Sequence, residues 1–165
     1  MEGTTDDDAG AEIRDGMKSV SNQGVCPESE WDYDTTKFTI KPTDQCYQDA
    51  LNNKITSYQR ITQNLNQMKG CLASGYPFVL GISIYESFES DDVAKTGVVP
   101  MPSTLESQLG GHAIMCVGYN DDNQQFIIRN SWGDTWGDKG YFFLPYTYVL
   151  DENLAADFWT IRTVE

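Results

Sequence analysis

At 165 residues, with 39% apolar and 12% aromatic content, the chain is long enough for one domain, or one and a part, with a core of its own. A formal charge of −14 repels polyphosphate and anionic lipid, which excludes nucleic-acid binding and docking on anionic membrane surfaces. No apolar run reaches membrane-spanning length and the first residues do not read as a signal peptide, so the compartment stays open.

In chain order, Met1 to Asp8 is an acidic, solvated stretch. Ala9 to Asn22 carries Ile13, Met17 and Val20 at helical spacing, which predicts a helix capped by Asp8 and stopped by Gly24. Cys26 to Asp44, with Pro27 and Pro42, reads as a loop. Alternation over Ile55 to Ile61 predicts a half-buried strand. Thr62 then caps a helix through Leu65, Met68 and Leu72 that ends at Gly75 and Pro77. Phe78 to Tyr85 is almost continuously apolar and predicts a strand buried on both faces. Glu86 to Leu109 is a long connection. Ala113 to Tyr119 and Phe126 to Arg129 form a hairpin around the polar linker Asn120 to Asn123, and Tyr141 to Leu144 and Phe158 to Arg162 add two more strands. These elements predict an α+β arrangement with a small antiparallel, barrel-like sheet.

The chemistry concentrates between Gly110 and Tyr141. His112 is the single histidine of the chain, and Asn130 follows eighteen residues later at the other end of the predicted hairpin. An imidazole beside a carboxamide is the base and orienter of a thiol nucleophile, because the amide oxygen fixes the tautomer and leaves the other ring nitrogen free. The run Gly-His-Ala-Ile-Met-Cys-Val-Gly-Tyr, followed by Arg-Asn-Ser-Trp-Gly-Asp-Thr-Trp-Gly-Asp-Lys-Gly-Tyr-Phe, resembles the histidine and asparagine motifs of papain-like cysteine peptidases. The resemblance implies a papain-like fold, with the β lobe nearly complete and the helical lobe only partly present. It divides the chain into residues 1–44, a helical remnant and linker, and residues 45–165, the β-rich lobe. It makes His112 the general base and Asn130 its orienting amide. Trp132 becomes the indole over their hydrogen bond, and Gly111 a backbone contact beside the scissile bond. Gly10 resembles the position where the family hydrogen-bonds an extended substrate.

The family's nucleophile, a cysteine opening a long helix in a Gly-Ser-Cys-Trp-type stretch, has no counterpart between Met1 and His112. Cys26 follows Gln23-Gly24-Val25, but Pro27 and acidic neighbours follow it and raise a thiol pKa. Cys116 shares a strand face with His112 at roughly 13 Å, too far for a nucleophile and its base. Cys71 reads as a core residue. Cys26 and Cys46 flank a loop and form a disulfide if the compartment is oxidising. Without a Cys-x-x-Cys pair and with one histidine, neither a metal nor a cofactor is expected.

The chain therefore reads as a fragment or subunit of a cysteine peptidase acting on peptide or protein substrates, inactive by itself. The alternative is a non-catalytic module that keeps the cleft to bind or inhibit peptides. An exposed stripe of Ile13, Met17 and Val20 and an open sheet edge predict a partner: a second polypeptide bringing the cysteine helix, or a homo-oligomer.

Overall fold

The computed structural model describes residues 10–164. They fall into two compact units, Met1–Gln59 with Ile161–Glu165, and Arg60–Thr160.

The first unit holds α1 (Ile13–Gln23), α2 (Asp44–Ala50) and β1 (Ile55–Arg60), whose last residue enters the second unit. Helix α1 stops where expected. Gly24 adopts φ 78° and its N–H closes on Val20 O at 3.0 Å, while a Cβ there would run into the Ala50 carbonyl. Its start differs, with Glu12 at the N-cap, and the expected cap Asp8 lies outside the described residues. The apolar stripe is not exposed: Met17 is buried and Ile13 and Val20 are half-buried. Helix α2 was not legible in the sequence. Thr43 caps it by accepting from the Cys46 N–H, and Cys46 and Ala50, one turn apart, are its buried side. Between α1 and α2 run two three-residue 3-10 turns, Glu28–Glu30 and Thr35–Lys37, and no residue from 27 to 45 is buried.

The second unit holds α3 (Leu65–Ala73), β2 (Phe78–Tyr85), α4 (Asp91–Thr96), β3 (Gln108–Asn120), β4 (Gln125–Arg129), β5 (Tyr141–Pro145), α5 (Tyr146–Leu150) and most of β6 (Ala155–Val164). The strand order is β1-β6-β2-β3-β4-β5, and the β6-β2, β2-β3, β3-β4 and β4-β5 pairings are antiparallel. The sheet is open rather than barrel-like, since the order does not close on itself. In the sequence the two compact units meet between Gln59 and Arg60, and α2 and β1 group with α1.

The core lies in this second unit. Phe78, Phe126 and Phe158 meet edge to face at centroid distances of 6.2 and 6.3 Å, with Leu80, Ile114, Ile128 and Leu144 around them. Strand β2 is buried on one face only. Phe78, Leu80, Ile82 and Ile84 point into the core, and the alternate residues are half-covered. A continuous apolar run over-predicts burial here because Gly81 and Ser83 fall on the weaker face. Helix α3 is capped by Asn64 rather than Thr62: the Asn64 carboxamide accepts from the N–H groups of Asn66 and Gln67, two residues deeper than Thr62 could reach.

The expected long connection is more ordered than its composition suggests. A 3-10 turn over Glu86–Glu89 leads into α4, capped by Ser90 and ended by Gly97 at φ 71°. The Glu106 carboxylate ties the return path, accepting from the Ser87 N–H at 2.8 Å and the Ser103 N–H at 2.7 Å. Those donors hold its carboxyl below the ordinary glutamate value. A folded-state pKa below the unfolded one contributes stability above the unfolded value and loses it as pH falls through the folded one. Thermal melts of wild type and Glu106→Gln should therefore differ at neutral pH and converge below the ordinary glutamate range; a difference that stays constant into acid would reject this role.

Candidate active site

The hairpin of β3 and β4 sets the site. Met115 pairs with Arg129, and a register shift between Cys116 and Gly118 adds one residue to β3 before the turn. Asp121 anchors that turn, accepting from Lys69 at 2.6 Å and from the Tyr146 hydroxyl at 2.9 Å. With Met115 opposite Arg129, the residue after Arg129 faces back along β3 toward His112. Asn130 is fixed there by its own N–H, which donates to Gly140 O at 2.9 Å. On its other side β3 pairs with β2, His112 opposite Ile82 and Gly111 opposite Ser83.

His112 Nε2 and Asn130 Oδ1 are 2.9 Å apart. The same oxygen accepts from the Ser131 N–H at 2.8 Å. A flipped carboxamide would set its NH2 against that N–H, donor against donor, so the oxygen faces the ring and Nε2 carries the proton. Nδ1 is then the basic nitrogen. Asn130 Nδ2 is buried without a hydrogen-bond partner among the described residues, a cost of about 1–3 kcal/mol that the fold accepts to hold this orientation.

Trp132 stacks on the imidazole, with centroids 5.0 Å apart and planes at 27°. It is 41% exposed, so it needs support from behind. Trp136 meets it edge-on at 5.0 Å and Phe88 at 5.7 Å, and Phe88 packs in turn on Trp136 and Phe142. Phe88 is 1% exposed and was missed by sequence reasoning, which had placed it in a featureless connection. Its signal was the position just past β2, where an aromatic residue in a polar run has a strand end to pack on. The loop carrying the two indoles turns on Gly137, at φ 62°, whose N–H donates to Ala94 O at 2.7 Å. A Cβ there would strike the Tyr141 carbonyl.

The structure thus brings together His112, Asn130 and Trp132, with Gly111 the residue before His112 on β3. Gly111 is exposed, and a Cβ would meet only Ile82 O at 3.9 Å, so the edge beside the imidazole is open. Gly10 belongs to the first unit, is exposed at φ 73°, and has nothing within 4 Å of a Cβ built on it.

None of the four sulfurs is poised as a thiolate. Cys116 is 1% exposed, and burial pushes its thiol far above the ordinary range. Cys71 is buried and its thiol lies 3.3 Å from Tyr76 O. Cys26 is pushed up by burial first, then by Cys46 and Glu30, with which it clusters in the first unit. Those three side chains are the one group of His, Cys, Asp or Glu residues, among the described residues, close enough to share a metal ion.

The site is therefore an imidazole held in one orientation by a side-chain amide, stacked under an indole, with an exposed glycine beside it. The model of the papain family cysteine protease matches residues 4–150, and the chain belongs to that family. It is 45% identical to an uncharacterized peptidase C1-like protein of Acanthamoeba polyphaga mimivirus, over 99% of this chain and 55% of that protein. It is 30% identical to chymopapain of Carica papaya, over 78% of this chain and 35% of the relative. Among solved structures it resembles xylellain, a cysteine protease from Xylella fastidiosa, at a TM-score of 0.90 and 45% identity, covering 99% of this chain and 66% of that one. The chain spans about half the length of the viral relative and about a third of the plant one.

Because Phe88 props the indole from the core, Phe88→Ala should destabilise the protein by about 3–5 kcal/mol and red-shift the emission of Trp132 as it gains water. Unchanged melting together with unchanged fluorescence would remove Phe88 from the support of the site.

Proposed function

We propose that this chain supplies the general base and its orienting amide to a peptide hydrolysis whose thiolate comes from a polypeptide segment other than its four cysteines. The observation that carries the reading is the 2.9 Å contact between His112 Nε2 and Asn130 Oδ1 beneath Trp132, which leaves Nδ1 as the nitrogen available to a sulfur. The burial of three of the four thiols and the raised pKa of the fourth support an outside nucleophile.

In this mechanism the thiolate attacks the peptide carbonyl carbon and forms a C–S bond, and the carbonyl oxygen takes the negative charge. The imidazolium of His112 donates its Nδ1 proton to the leaving amine as the C–N bond breaks. Neutral His112 then takes a proton from water, whose oxygen attacks the thioester and releases the acid product and the thiolate. Asn130 acts through His112, holding one ring orientation through both proton transfers. Gly111 lines the approach to the scissile bond with backbone alone.

The test is hydrolysis of a fluorogenic peptide by the chain alone and by the chain joined to a segment carrying the family's Gly-Ser-Cys-Trp-type helix. The expected outcome is no turnover alone and turnover when complemented. His112→Ala should lower the complemented kcat by about 10²–10⁴-fold. Asn130→Ala should lower kcat with little change in KM and alter the pH profile, since it removes an orienter rather than a substrate contact. A complemented protein that binds peptide without cleaving it would replace this reading by the non-catalytic, peptide-binding one, and activity indifferent to His112→Ala would sink the base assignment.

A further inference from the structure

The segment between α1 and α2 has no buried residue of its own, yet its two ends are held close together. At the first end, Val25 exchanges hydrogen bonds with Asn53. Its N–H donates to Asn53 O at 3.2 Å, and its carbonyl accepts from Asn53 Nδ2 at 3.1 Å. At the second end, the Thr43 cap starts α2 and places Cys46 on the buried side of the first turn. Cys46 Sγ lies 3.2 Å from Thr43 Oγ1 and 3.7 Å from Glu30 O. The ligand atoms of Cys26, Glu30 and Cys46 lie within 4.8 Å of one another.

We propose that Cys26 and Cys46 are a redox-active pair that closes into a disulfide, stapling the otherwise core-less segment 27–45 to the frame of α1 and α2. The geometry favours this over metal capture. A four-coordinate cation such as zinc would draw on the Glu30 carboxyl as a third donor, and that carboxyl is raised above its ordinary value, by desolvation first and then by the neighbouring Asp49, which favours its keeping a proton. The neighbouring Cys46 also disfavours ionisation of Cys26, and a disulfide removes both thiols from the partly buried site.

The step balances against a small-molecule disulfide as oxidant. The half-exposed Cys26 loses its proton to solvent, and its thiolate attacks one sulfur of oxidised glutathione. One glutathione thiolate leaves and a mixed disulfide remains on Cys26. The Cys46 thiolate then attacks the Cys26 sulfur, forms the internal S–S bond and expels the second glutathione. The protein gives up two protons and two electrons, and one oxidised glutathione becomes two reduced ones. Because the Cys26 thiol is raised, closure should quicken by up to about tenfold per pH unit from neutral toward the thiol range. Closing the loop restricts its unfolded alternatives and fixes a segment that presents Tyr33 and Phe38 to solvent.

The full chain, incubated with oxidised glutathione, acid-quenched, unfolded and alkylated with N-ethylmaleimide, should carry two labels, on Cys71 and Cys116. A peptide map should show Cys26 linked to Cys46, and dithiothreitol should restore four labels. Proteolysis within 27–45 should be about tenfold slower in the oxidised chain than in the reduced one, with no such difference in Cys46→Ser. Four labels after oxidation, a glutathione adduct that never closes, or a link through Cys71 or Cys116 would overturn the proposal. Zinc that protects Cys26 and Cys46 from labelling while oxidised glutathione fails to link them would assign the cluster to a metal and also overturn it.

Discussion

The hydrogen bond from His112 to Asn130 depends on a strand register rather than on its own strength. A side-chain bond of this kind contributes about 0.5–1.5 kcal/mol net, too little to pull two strands into place. The pairing of Met115 with Arg129, the extra residue near Cys116 and the Asn130 N–H on Gly140 put the carboxamide opposite the ring before the bond forms. The core behind those strands, with Phe126 and Ile128 fully buried on β4, contributes several kcal/mol and decides the register. A one-residue slip would turn every β4 side chain to the other face, so the geometry is as secure as the burial of these two residues.

Electrostatic cover is layered in the same way. Trp132 is the exposed outer leaf and Phe88 the buried inner one, with Trp136 and Phe142 filling the space between. The outer indole lowers the dielectric around the imidazole and amide, which strengthens their bond, and the inner ring prevents the indole from wandering. The buried Asn130 Nδ2 is the cost of that arrangement, since the orientation that turns the carboxamide oxygen to the ring leaves the nitrogen unpartnered among the described residues.

Much of this was legible in the sequence, and what was not has specific reasons. The β3–β4 hairpin, the strand character of β2 and the Gly24 stop follow from patterns that depend on neighbours a few residues away, and such patterns survive in one dimension. Helix α2 was missed because its signal is a threonine cap and two small buried residues, Cys46 and Ala50, with no apolar stripe. Helix α5 was missed because Tyr146, Tyr148 and Val149 have strand propensity that tertiary packing overrides. The cap of α3 was misplaced by two residues because Thr62 and Asn64 are both good cap residues and only the backbone path chooses. The barrel-like closure was an inference about strands far apart in the chain, where local pattern carries no information, and the open order replaces it. Phe88 needed the fold to become visible, because nothing in Glu86-Ser87-Phe88-Glu89 announces a core residue.

The sulfur poses a separate electrostatic problem. A thiolate forms where positive potential lowers its pKa, and this chain holds 25 acidic residues against 11 basic ones. Its own thiols find no such potential: Cys26 is raised by burial first and then by Cys46 and Glu30, and Cys116 is raised by burial. Any sulfur serving His112 must therefore come with a local source of positive potential, such as the first turn of a helix, and use the imidazole itself as counter-ion. An ion pair of that kind is worth most in the dry side of the site under Trp132 and least in water. On the proposed reading, the exposed edge at Gly111 beside an imidazole stacked under Trp132 is where an extended peptide would enter from solvent, with the proton transfers on the covered side.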